Sequence, residues 1–135
     1  STARLRAPFV SLGVVPEAAS SVLMPLVMGN QRAAAKLYTA DWISADEAVE
    51  YGIAFQAVEP HALMDTAMSL ARRIATMPVA SLRATKQLVV DGRIDAVRGA
   101  RAREDAVFTK MIGQPANAEA IKAFLERRDP DFTAL

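Results

Sequence analysis

Residues 7–29 read APFVSLGVVPEAASSVLMPLVMG, a run of apolar and small side chains interrupted by one acidic residue, Glu17. Pro16 suits the first position of a helix, because its fixed φ is helical and its missing N–H needs no partner there. Glu17 then falls in the first turn, where the positive end of the helix dipole favours an anion. Ala18, Ala19, Ser20 and Ser21 are small enough for a ligand to approach the backbone, and Leu23, Met24, Leu26, Val27 and Met28 supply the buried part of the same helix. Two roles fit Glu17 locally. It is either a first-turn glutamate that complements the dipole, or a carboxylate among apolar neighbours that serves as a general base.

Outward from this stretch, the chain punctuates itself clearly. On the N-terminal side, residues 1–9 alternate weakly, with Ala3, Leu5 and Ala7 against Arg4 and Arg6, which predicts a short strand. Residues 53–58, bounded by Gly52 and Pro60, predict the other strand. Two short strands make no stable sheet alone, so the expectation is that the rest of the sheet lies elsewhere. Gly29-Asn30 ends one helix and starts another, running to about Thr39 with Ala33, Ala34, Leu37 and Tyr38 on its buried side. Ser44-Ala45-Asp46-Glu47 has the form of a capping box, and Gly52 suits the end of that helix. A helix follows Pro60, with Leu63, Ala67, Leu70, Ala71 and Ile74 at helical spacing, until Met77-Pro78 breaks it. Further helices are predicted over about 78–90, stopped by Asp91-Gly92, over about 94–112, and over about 117–128. The fold class is mostly α with short β-strands.

The 135 residues suffice for one domain, and 52% hydrophobic with 23% charged residues is an ordinary globular balance. A net charge of +1 offers no basic field for nucleic acid. The absence of cysteine excludes disulfides and thiolate metal sites and agrees with a reducing compartment. No apolar run approaches the ~20 residues of a membrane span, and the first residues lack a signal-peptide pattern. The expectation is a soluble, cytoplasmic protein with no metal.

Other chemistry-bearing residues are few. His61 is the only histidine and reads as a solvated residue in the first turn of its helix. Glu104 lines up with Val97, Ala100, Val107, Phe108 and Met111, which sets a carboxylate on an apolar stripe and calls for a structural ion pair with Arg101, Arg103 or another arginine. The six methionines read as core or subunit-contact residues, with Met24 and Met28 also candidates for lining a pocket. Lys86, Lys110, Lys122, Arg127 and Arg128 are candidates for binding phosphate, each with a solvated helix face as its plain alternative.

The opening stretch resembles the crotonase (enoyl-CoA hydratase/isomerase) superfamily, and in particular its Δ3,Δ2-enoyl-CoA isomerases. Those carry PF-x-x-LG-x-x-PEG-x-x-S ahead of the catalytic helix, here Pro8-Phe9, Leu12-Gly13, Pro16-Glu17 and Ser20-Ser21. GNQRAAAKLYTADWISADEAVEYGIAFQAVEP (29–60) and NAEAIKAFLERRDPDF (117–132) are similar to later parts of the same fold. The resemblance implies an α/β crotonase-like fold, of which this chain is the C-terminal half: the end of the spiral core at about 1–60 and trimerisation helices at about 61–135. It implies Glu17 as the catalytic base of an enoyl-CoA isomerase in fatty-acid metabolism. Phe9, Pro16, Ala18, Leu23 and Met24 are then the substrate-binding residues. The substrate is an acyl-CoA thioester, coenzyme A being part of it, with no separate cofactor and a homo-oligomer of three or six chains.

Two positions depart from the family pattern. Phe9 stands where hydratases of the family place a second catalytic glutamate, which disfavours hydration, and Ala18 stands where the isomerase glycine would be. The family draws both enolate-stabilising N–H groups from a first half with no counterpart here, so residues 1–135 alone are expected to associate and to lack turnover. The alternatives are a non-catalytic truncated or proteolysed crotonase fragment, or another crotonase-type reaction such as enoyl-CoA hydration.

Overall fold

The computed structural model describes residues 2–133 and residue 135; Ser1 and Ala134, which belong to the expected strand and terminal region, lie outside them. Among the described residues six helices dominate, α1 (Ser20–Met28), α2 (Asn30–Thr39), α3 (Ala45–Glu50), α4 (Leu63–Ala75), α5 (Val79–Met111) and α6 (Pro115–Glu126). Two short strands, β1 (Arg4–Leu5) and β2 (Ile43–Ser44), pair antiparallel, with Arg4 opposite Ser44 and Leu5 opposite Ile43. The guanidinium groups of Arg4 and Arg6 lie over the Trp42 ring, 4.5 and 5.5 Å from its centroid, and Arg6 Nε donates to Ala40 O at 2.6 Å. These contacts tie the N-terminal strand to the corner between α2 and β2.

Residues 53–58 form no strand, contrary to the sequence expectation. The N–H groups of Ile53 and Ala54 both turn back to Ala48 O, at 2.9 Å each. The end of α3 thus takes the donors that a ladder would have used, and Gly52 at φ +77° makes that reversal without steric penalty.

The core is built largely of small residues. Met28, Ala33, Ile43 and Ala48 form its centre, with Met24, Tyr51 and Ala54 packed against it. Alanines 19, 33, 40, 45, 48, 100, 120 and 123 are all buried, which lets α1, α2 and α5 approach closely, while many large apolar side chains remain outside. Ala33 and Leu37 are buried on α2 as expected, whereas Tyr38, expected on the same side, is 76% exposed.

Helix α5 runs unbroken through Asp91-Gly92 for 33 residues, about 50 Å at 1.5 Å per residue. One glycine costs a helix only about 1 kcal/mol. The exposed hydrogen bond from Gln87 Nε2 to Asp91 Oδ1 and the spaced pairs Arg98–Asp95 and Arg101–Asp105 act against it. Only Ala100 and Glu104 of α5 are buried, in the part of the helix that packs with α1. Helix α4 follows the predicted span, but its apolar stripe stays largely uncovered, with Leu63, Met68 and Ile74 exposed.

The capping box at α3 forms as its spacing requires. Glu47 N–H donates to Ser44 Oγ at 3.1 Å, and Ser44 N–H donates to Glu47 Oε2 at 2.8 Å. The Ser44 N–H first, then Lys36 at 3.0 Å, lower the Glu47 carboxyl from about 4.5 to about 2. A carboxylate lowered by folding stabilises above its unfolded value, and that contribution fades as pH falls from about 5 toward 2. Ser44→Ala is expected to lower stability by about 1 kcal/mol in urea unfolding at pH 7. Glu47→Gln removes the titrating carboxylate while Ser44 keeps its backbone N–H, so the wild-type advantage over that variant should shrink in thermal melts taken between pH 5 and pH 2.5.

Candidate active site

The segment carrying Glu17 is held at both ends. At its start, Val10–Leu12 forms a 3-10 turn that Gly13 closes at φ +67°. A Cβ on Gly13 would stand 2.5 Å from Ala116 C and Asn117 N, so only glycine lets this corner lie against the first turn of α6. The buried Asn117 fastens the contact, donating from Nδ2 to Leu12 O at 2.8 Å while its Oδ1 accepts from Gly113 N–H at 2.9 Å.

At its other end the segment departs from the sequence expectation. Helix α1 starts at Ser20, so Pro16 is not its first residue and Glu17 is not in its first turn. Glu17 instead opens a tight turn in which Ser20 N–H returns to Glu17 O at 2.9 Å. Ala18 and Ala19 occupy the middle of that turn at φ 58° and 63°. The left-handed region costs a non-glycine residue roughly 1–2 kcal/mol, so two consecutive alanines there need an outside hold.

Glu104 supplies that hold. It is 6% exposed on α5, and its Oε2 accepts from Ala19 N–H at 2.7 Å. Its Oε1 accepts from Ser21 N–H at 2.9 Å and from Ser21 Oγ–H at 2.5 Å. The expected arginine partner is replaced by the N-terminus of α1. Among the described residues Glu104 forms no ion pair, and Arg101 turns to Asp105 at 3.9 Å. A helix start presents free N–H groups and positive potential, which satisfy a buried carboxylate as a cation would. Sequence reasoning missed Ser21 in this role; its only signal was its place in the Ser20-Ser21 pair.

The Glu17 side chain is exposed and makes no hydrogen bond or ion pair among the described residues. Two hollows flank α1. Phe9, Ser20, Leu23, Met24, Val27 and Met28 line one of about 360 Å³. Pro16, Ser21, Pro25, Leu37 and Met111 contribute to another of about 620 Å³. The spacing explains the division: positions 20, 23, 24, 27 and 28 share one helix face, and positions 21 and 25 share another. Of the expected substrate-binding residues, the structure therefore gathers Phe9, Leu23 and Met24, sets Pro16 apart, and leaves Ala18 outside both linings, as it does the expected catalytic Glu17. A hollow of about 760 Å³ between residues 55–58 and α4 contains none of these residues.

Three of the candidate phosphate ligands stand apart or are already engaged. Lys86 and Lys110 sit on one helix about 36 Å apart along its axis, and Arg128 is engaged by Glu119 and Glu126. His61 is exposed beside Pro60. Among the described residues, no three of the histidine, aspartate and glutamate side chains are grouped to hold a metal ion, and no helix is long and apolar enough to cross a membrane.

The fold has close counterparts among solved structures. An enoyl-CoA hydratase/isomerase from Pseudoalteromonas atlantica superposes with a TM-score of 0.90 at 31% identity, over 97% of this chain and 53% of that one. The model of the enoyl-CoA hydratase/isomerase family matches residues 1–134. The chain belongs to that family, whose members are enzymes, and its fold is crotonase-like. Among curated relatives, the 1,2-epoxyphenylacetyl-CoA isomerase of Escherichia coli is 32% identical over 93% of this chain and 48% of its own length. The short-chain-enoyl-CoA hydratase of Clostridium acetobutylicum is 30% identical over 95% of this chain and 49% of its own length. The chain spans about half the length of the curated relatives it matches.

Removing the Glu104 carboxylate leaves the buried Ala19 N–H and the first turn of α1 without acceptors. Glu104→Ala is expected to lower stability by about 2–3 kcal/mol in urea unfolding, the range for hydrogen bonds to a charged group. A loss under about 0.5 kcal/mol would equal an unremarkable surface change and contradict this anchoring role.

Proposed function

We propose that the protein is an enoyl-CoA isomerase acting on a 3-enoyl-CoA thioester, with Glu17 as its base. The observation that carries this reading is an exposed, unpartnered carboxylate on an anchored turn, three residues ahead of Ser20, where the apolar cavity face of α1 begins. Glu17 takes a proton from C2, and the electron pair of that C–H bond moves into a dienolate spread over the thioester oxygen and C4. The protonated Glu17 returns the proton to C4, leaving the double bond between C2 and C3. One carboxylate suffices in both directions, and no separate cofactor enters.

The other parts follow from the chemistry. The lining of Phe9, Leu23 and Met24 suits an acyl chain. Pro16 and Ala18 flank the base, and their small, rigid backbone suits the reacting end of the substrate. The enolate needs aimed N–H donors. The N-terminus of α1 is not their source, because Glu104 already occupies Ala19 N–H and Ser21 N–H. The isomerase reading draws support from the presence of Phe9 where hydration would call for another carboxylate. Hydration is the second reading, favoured by relatives named as hydratases, including the crotonyl-CoA hydratase of Syntrophomonas wolfei at 30% identity. Fatty-acid metabolism in the cytoplasm is the setting that fits either substrate.

We further propose a homo-oligomer of three or six chains. Met64, Met68, Leu88, Val89, Phe124 and Leu125 are exposed on α4, α5 and α6, Phe124 to 78%, and apolar surface of this extent marks an interface. Light scattering on the purified protein should give a mass of three or six chains, and a monodisperse monomer would remove the proposal.

Glu17→Gln keeps size and hydrogen bonding but cannot take a proton at neutral pH. The variant is expected to keep its melting temperature and to lose formation of the conjugated 2-enoyl-CoA, followed by absorbance with 3-enoyl-CoA as substrate. Loss of absorbance on adding 2-enoyl-CoA to the wild-type protein would favour hydration instead. A folded Glu17→Gln protein with near wild-type isomerisation would end the assignment of Glu17 as base.

A further inference from the structure

We infer that Glu104 is a positioning residue for the Glu17 carboxylate, holding the left-handed Ala18-Ala19 turn and through it fixing where the base stands. The inference rests on Glu17 being the base, as proposed above. Glu104 lines neither hollow beside α1, and both of its oxygens are occupied by Ala19 and Ser21, so it has no place among the reacting groups. What it grips is the turn itself. Ala19 is fully buried, and its N–H, 2.7 Å from Oε2, fixes the plane of the Ala18–Ala19 peptide. Ser20 N–H reaches back to Glu17 O across the same two residues, so Glu17 is the first residue of the gripped turn.

Neither alanine prefers its left-handed conformation, and relaxing toward the right-handed region would change the direction in which the chain leaves Glu17 for the start of α1. A family pattern with glycine after the glutamate tolerates that conformation without help. This chain, with Ala18 there, depends on the grip from α5. The carboxylate also joins two elements distant in sequence, Ala19 and Glu104 being 85 positions apart, so the placement of the base is set by how α5 docks on α1.

The test compares three variants of the intact gene product, Glu17→Gln, Glu104→Gln and Ser21→Ala, by steady-state kinetics on 3-enoyl-CoA beside thermal melts. Glu104→Gln replaces one accepting oxygen with an amide that faces an N–H donor, without changing the size of the side chain. In folded protein it should lower kcat by about 10- to 100-fold with KM within about twofold, the signature of a misplaced base on an intact binding surface. Should Glu104→Gln fail to fold, Ser21→Ala decides, since it removes the hydroxyl donor and leaves both backbone bonds; a severalfold lower kcat at unchanged KM is expected. Wild-type kcat in the folded variant that decides, or a loss carried wholly by KM or by the unfolded fraction, would overturn the inference. An inactive Glu17→Gln beside a fully active, folded Glu104→Gln would overturn positioning alone. An active Glu17→Gln would remove the base and this inference together.

Discussion

The carboxylate of Glu104 seated on the N-terminus of α1 is the interaction on which the rest of the structure depends. Helix α1 has nine residues and carries Pro25 in its interior, which removes the hydrogen bond that Ser21 C=O would otherwise accept. It begins from two alanines in a disfavoured conformation. Such a helix is poorly supported by its own backbone. Its free N–H groups and dipole, however, form a favourable seat for an anion, and α5 brings one at 2.7–2.9 Å. The buried charge and the weak helix each remove the other's penalty, and the turn bearing Glu17 is fixed as a consequence.

A second anchor completes the frame. Gly13 presses against the α6 backbone and Asn117 bridges Leu12 to Gly113, so the segment from Gly13 to Ala19 is suspended between α6 and α5. Both anchors lie on the C-terminal helices, whereas the exposed carboxylate belongs to the N-terminal segment. The cavity faces of α1 then follow from helical spacing alone, once the start of the helix is fixed at Ser20.

Outside this frame the chain buries mostly alanine and leaves large apolar residues exposed along α4, α5 and α6, including Leu88 at 73%. Small residues permit close helix contacts but remove little apolar surface from water per residue. The body around α1, α2, β2 and α3 therefore holds the packed centre, and the long helix extends well past it. This uneven burial is the physical ground for the proposed self-association.

The sequence by itself determined whatever short-range rules control. The capping box at Ser44 and Glu47, the left-handed Gly52, the Gly29-Asn30 junction and the break at Met77-Pro78 were all legible, because each depends on residues within one turn of chain. The motif around Pro16-Glu17 carried the family. It was misleading about local geometry, since Pro16 fits a helix start yet α1 begins four residues later. Only the tertiary structure decided that the partner of Glu104 is a helix terminus and not an arginine, that Gly92 leaves α5 unbroken, that Ile53 and Ala54 turn back onto α3, and that Phe9, Leu23 and Met24 share a cavity without Pro16. The reason is plainest for Glu104. Backbone donors and a helix dipole leave no mark in the side-chain alphabet, and which of them meets a distant carboxylate depends on how elements more than 80 residues apart dock together.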